Sequence, residues 1–139
     1  GATRVDATHS ADDEALEQLR DARQRMSRDV REARRFTAAW GQGFTVWIDD
    51  GWDEVALPEE FVTWFIDEGG NLRRSVGDAS RVEARGLDRE ASFFAFDANN
   101  PSSVTRMRIV LVVQVDGPDG SAPIGTRSLD TEITLRNVP

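Results

Sequence analysis

Three observations predict an α+β fold with one long N-terminal amphipathic helix packed on an antiparallel β-sheet meander. Leu16, Leu19, Met26, Val30 and Ala33 recur at steps of three, four or seven, one apolar stripe on a 3.6-residue period. After Gly43 the period drops to two, in short runs parted by Gly, Pro, Asn and Asp. The chain of 139 residues, 39% hydrophobic with four Trp and seven Phe, suits one compact domain. At that size roughly two-thirds of the unfolded surface is buried, so a core forms without covalent staples.

Residues 1–10 are small and polar and read as a flexible tail; 11–139 read as a single globular domain. Ser10 with Asp13 resembles a capping box, and Asp12, Asp13 and Glu14 suit the positive start of a helix. Arg31, Arg34 and Arg35 crowd the far end, where cations are favoured, and Gly41 and Gly43 stop it. The spacing predicts a helix over 12–36, with Leu16, Leu19, Met26, Val30 and Ala33 packed on the sheet.

Strands are predicted at 44–49 (FTVWID), 61–67 (FVTWFID) and 72–76, the last two joined by the tight turn Glu68-Gly69-Gly70-Asn71. Shorter candidates are 81–86 and 91–96. The strongest is 104–115, where Met107, Ile109, Leu111, Val113 and Val115 alternate with Arg106, Arg108 and Gln114. A Gly-, Pro- and Asp-containing loop at 116–125 precedes a closing strand at 129–135. The helix has to cover one sheet face to bury its stripe.

Composition excludes several functions. With 25 acidic residues against 17 basic, the net charge is −8, so phosphate backbones repel the chain and nucleic acid is not an expected partner. Cysteine is absent, which removes disulfides, Cys–zinc sites and thiol nucleophiles. All 17 basic residues are Arg, which reads as codon usage in a GC-rich genome. No run of 18 apolar residues occurs. The one histidine, His9, falls in the tail, and no P-loop, GxGxxG or GxSxG pattern is present.

Asp49, Asp50, Asp53 and Glu54 put four carboxylates within six residues, but without EF-hand spacing they read as a solvated turn. Asp97 with Asn99 and Asn100, and Asp116 with Asp119, read the same way. Trp40, Phe44, Trp47, Trp52, Trp64, Phe93 and Phe96 read as sheet core rather than a ligand pocket. No catalytic, cofactor-binding or metal residue is expected, and the chain reads as a non-enzyme.

Four places in order carry a family resemblance. Residues 19–36 (LRDARQRMSRDVREARRF) resemble the helix end of minor pilins and pseudopilins, with Ser27-Arg28-Asp29-Val30-Arg31-Glu32-Ala33 as the core of the pattern. Residues 61–74 (FVTWFIDEGGNLRR) resemble the family's hairpin, and 86–97 (GLDREASFFAFD) its Phe-x-Phe-x-Asp segment. Residues 101–115 and 129–137 resemble its closing strands, which end in Leu-Arg-Asn, here Leu135-Arg136-Asn137. The chain thus resembles a type IV pilin-like protein, a J-type minor pseudopilin of type II secretion or a W-type minor pilin, without its membrane helix. Gly43-Phe44-Thr45-Val46 resembles a prepilin cleavage motif only superficially, since the fifth position after Gly43 is Ile48 rather than Glu.

The resemblance implies a pilin-like fold and a filament subunit, periplasmic or at the cell surface, anchored in the cytoplasmic membrane by an N-terminal helix that this sequence lacks. It implies other pilin or pseudopilin subunits as partners, a place in a tip or initiation complex, and no cofactor. The outer helix charges, Arg20, Arg28 and Arg31 against Asp21, Asp29 and Glu32, would meet neighbours, with Arg20, Arg28, Arg31 and Glu32 as the interface. A short basic leader and about 20 apolar residues are expected upstream of Thr3. Two alternatives stay open: a small NTF2-like cone-shaped α+β protein, and an extracytoplasmic solute- or calcium-binding module.

Overall fold

The computed structural model describes residues 2–48, 57–115 and 125–135. Helix α1 spans Ala2–Glu32, followed by β1 (Arg35–Trp40), β2 (Gly43–Trp47), β3 (Phe61–Ile66), β4 (Leu72–Val76), β5 (Ala79–Ala84), β6 (Phe93–Phe96), β7 (Arg106–Val115) and β8 (Gly125–Thr134). Short 3₁₀ turns at Pro58–Glu60 and Pro101–Ser103 precede β3 and β7.

This corrects the predicted fold class. The chain is mostly β, and the strands form two antiparallel sheets, a five-stranded one in the order β1-β2-β3-β4-β5 and a three-stranded one in the order β6-β7-β8. The α+β pilin-like arrangement, one long helix lying on one meander, is not what is found. The split lies between β5 and β6. Gly86 takes φ 73°, a left-handed conformation open to glycine, and turns the chain away from β5. The next residues then bond to β7: Leu87 bridges Val113, Asp88 N–H donates to the Val112 carbonyl, and Gln114 N–H donates to the Gly86 carbonyl. A segment that reads as one more hairpin arm instead founds a second sheet.

The helix limits differ as well. α1 starts at Ala2 rather than 12 and ends at Glu32, not Phe36, so Gly41 and Gly43 do not stop it. Past Val30 the chain tightens, with Ala33 N–H donating to the Val30 carbonyl at 3.2 Å, and Arg34 N–H then donates to the Trp47 carbonyl at 2.8 Å. Residues expected as the last helical turn become β1, an unforeseen strand paired to β2 with a bulge between Phe36 and Ala38. The strand places Phe36 edge-on to Phe44 and Phe96, with centroids 5.7 and 5.8 Å away. Aromatic packing of this kind outweighs the helix preference of Arg34, Arg35, Ala38 and Ala39.

One apolar cluster joins all three parts. Leu19, Met26, Val30 and Ala33 reach it as predicted, each fully buried, together with Ala15 and Ala22. α1 touches β5 of the first sheet and both β7 and β8 of the second, so its stripe closes the core between the sheets. Burying each Leu, Met or Val side chain contributes about 1.5–3 kcal/mol, which holds a helix whose outer surface is almost wholly charged. Leu16 departs from its prediction in part: it is half-buried and stands at the rim, beside β8. Of the aromatics, Phe44, Trp47 and Trp64 are buried, Phe96 is half-buried, and Trp40 and Phe93 are exposed; Trp52 lies outside the described residues. Gly43 is fixed in β2 because a Cβ there would lie 2.4 Å from the Trp64 carbonyl oxygen and 2.8 Å from the Trp40 ring.

Candidate functional site

The inner flank of α1 is locked by polar contacts. Asp29, 2% exposed, accepts from Trp64 Nε1 at 2.8 Å and from Arg74 Nε and Nη2 at 2.8 and 3.1 Å. This corrects its place among the outer charges. Asp29 follows Met26 by three residues and precedes Ala33 by four, so it shares the buried stripe; that spacing was the available signal. The carboxylate gives the guanidinium and the indole N–H a joint acceptor and raises the Arg74 pKa above its ordinary value. Two further ties hold α1 to β5. Gln18 and the Arg85 main chain exchange hydrogen bonds at 3.0 and 2.9 Å, and Arg25 pairs with Glu83, which Arg81 also meets at 3.2 Å. The Gln18 amide thereby occupies main-chain groups at the end of an edge strand that would otherwise be open to pairing.

The outer flank is different. Arg20, Arg23, Arg28, Arg31 and Glu32 are all exposed, and no ion pair joins any of these four arginines to a described acid. The predicted interface residues therefore do lie together on one helix face. Arg28, Arg31 and Glu32 line a shallow concavity of about 340 Å³ with Arg23, Gln24 and Ser27. Arg20 lines a second, of about 430 Å³, formed between α1 and residues 128–131 of β8, with Leu16, Arg23 and Gln24 on the helix side. Arg23 and Gln24 belong to both and join them. Sequence reasoning missed these two and Ser27, although their spacing from Arg20 and Arg31 puts them on the same side of the helix.

Several charges elsewhere are paired. On the outer face of the second sheet Arg108 pairs with Asp130 through two bonds of 3.0 and 2.7 Å, an arrangement that lowers the Asp130 pKa and raises that of Arg108. Arg106 lies near both Asp97 and Glu132, at 4.0 and 3.7 Å. Asp97 caps the turn before β7, accepting from the Thr105 hydroxyl and main chain, which lowers its pKa. In the β3–β4 turn Asp67 accepts from Arg73 at 2.7 Å and from the Asn71 and Gly69 amides, and its pKa falls to about 2. Arg34 and Arg35 lie over the Trp47 ring, whose Nε1 donates to buried Glu60 at 2.9 Å.

Among the described residues no group of three His, Cys, Asp or Glu side chains is placed to hold a metal ion. The acidic turn at 49–54, the loop at 116–124 and the His9 side chain lie outside the described residues. No described helix is long and apolar enough to cross a membrane. Comparison with protein-family models, with curated proteins and with solved structures gives no match.

Proposed function

We propose that the chain is an assembly subunit of an extracytoplasmic filament, a minor pilin or pseudopilin, which meets its neighbours through the outer face of α1. The observation that carries this reading is the contrast between the two flanks of one helix. The inner flank is fully engaged, by an apolar stripe and by the Asp29, Arg25 and Gln18 contacts. The outer flank presents Arg20, Arg23, Arg28 and Arg31 to solvent beside two concavities. The reading draws nothing from the two-sheet architecture; it rests on this helix face and on the resemblance of 19–36 to the helix end of pilin-like proteins.

On this reading the partners are other pilin-like subunits, and the anchor is an apolar helical segment encoded upstream of Thr3. Two experiments test it. The gene should encode a short basic leader and about 20 apolar residues before Thr3; a reading frame without them sinks the anchored-subunit claim. Charge reversal at Arg28 or Arg31 should weaken association with neighbouring subunits and leave the thermal midpoint of the isolated chain unchanged. Normal piliation or secretion in those variants counts against the proposal.

A further inference from the structure

Charge is distributed unevenly along this chain. Residues 20–35 hold seven Arg against three acids, a net of +4, which leaves −12 on the remainder of a chain whose total is −8. Of those seven, Arg25 is bound by Glu83, and Arg34 and Arg35 lie on Trp47. One of the three acids, Asp29, is consumed inside by Arg74. What remains is a lane of Arg20, Arg23, Arg28 and Arg31, about 16 Å long at 1.5 Å per residue.

From this we infer that the lane receives an extended acidic segment of a neighbouring subunit, a partner whose carboxylates alternate with apolar side chains. The inference rests on the reading of α1 as a docking face and adds the chemistry of what docks. Guanidinium forks take carboxylates in pairs of parallel hydrogen bonds, which sets geometry as well as attraction. The trough between α1 and β8 also has an apolar part, Leu16 and Leu129. Its far wall is β8, the last strand in the order β6-β7-β8, so an added strand has a sheet margin to run along. An anionic bilayer fits less well: a broad charged surface meets the exposed acids Asp21 and Glu32 beside the lane as well as its arginines, whereas a narrow segment can place its carboxylates on the arginines.

The test uses the 139-residue chain and a fluorescein-labelled peptide of about ten residues alternating Glu with Val or Thr, read by anisotropy. A Lys-for-Glu peptide and vesicles of mixed phosphatidylglycerol and phosphatidylcholine are the comparisons. Binding of the Glu peptide should weaken about tenfold in Arg23→Glu/Arg28→Glu, and should largely vanish at about 0.5 M salt, where screening acts within a few ångströms. An unchanged circular-dichroism melt confirms that the variant is folded. Equal binding of the Lys peptide, unaltered binding by the variant, or vesicle binding that the Glu peptide does not displace would overturn the inference. If the Glu peptide does not bind but the same variant loses association with its neighbouring subunits, the docking face stands and the acidic partner falls. If the peptide binds but the variant still assembles normally, the acidic-segment site stands and the filament reading falls.

Discussion

Replacing Asp29 with alanine removes one acceptor from two donors with different freedom to recover. The Trp64 indole N–H sits on a residue with no exposed surface, and water cannot replace the lost oxygen. An unsatisfied buried donor costs about 1–2 kcal/mol. Arg74 keeps a quarter of its side chain in solvent, so its guanidinium regains part of its hydration. Breaking a fully buried pair costs about 3–5 kcal/mol, and this exposure brings the Arg74 share down to about 1–2 kcal/mol. The total is about 3 kcal/mol, or roughly 10 °C in the melting midpoint of a chain of this length. Asp29→Asn retains one oxygen for Trp64 and Arg74 Nε but loses the charge and turns an NH2 toward Arg74 Nη2, so it should lie between wild type and the Ala variant. Trp64→Phe, which removes the donor instead, leaves Asp29 bound to Arg74 and tests the indole share separately. Urea unfolding followed by circular dichroism measures all three. A loss below about 0.5 kcal/mol in Asp29→Ala, or an Asn variant as unstable as the Ala variant, would refute the division of roles.

Asp67 should make its turn sensitive to acid. Its folded pKa is depressed to about 2 from 3.8, so the stability it contributes is present above pH 4 and lost as pH falls toward 2. Wild-type and Asp67→Asn melting curves recorded from pH 5 to pH 2 should converge at the low end; parallel curves would contradict this. Gly70→Ala should destabilise by about 2 kcal/mol or more, because φ is 77° and the new Cβ would lie 2.6 Å from the Leu87 carbonyl oxygen; a melt within 2 °C of wild type would show that the turn yields. Gln18→Ala should cost about 1 kcal/mol through its two bonds to the Arg85 main chain, and hydrogen exchange at Arg85 should quicken.

Local pattern was legible wherever one face of a segment is buried. The strands predicted at 61–67 and 104–115 contain β3 and β7, and Leu72–Val76 coincided with β4. The helix stripe likewise named Leu19, Met26, Val30 and Ala33. What failed was information that resides in distant partners. β1 is amphipathic only in relation to Phe44 and Phe96, and Arg35, with Arg34 just before the strand, imitates a helix end. The division into two sheets depends on Leu87 meeting Val113, a pairing across 26 positions that no local window contains. Asp29 was misplaced because a carboxylate reads as surface until Arg74 and Trp64 are known to face it. For the candidate surface, Arg20, Arg28, Arg31 and Glu32 are the outer helix charges expected at a subunit interface; Arg23, Gln24 and Ser27 emerged only with the concavities.

The order in which these parts leave a ribosome bears on how the protein is made. Each sheet joins neighbours in sequence, β1 through β5 and then β6 through β8, so both can zip by successive antiparallel pairings. The helix comes first, yet β7 and β8, which cover Leu19 and its neighbours, come last. Until β7 and β8 emerge the stripe of α1 is covered only from the side of the first sheet, and a nascent chain stalled before β7 would leave the rest of it exposed to aggregation. A holdase that binds amphipathic helices should engage this chain during translation and release it once β8 has emerged.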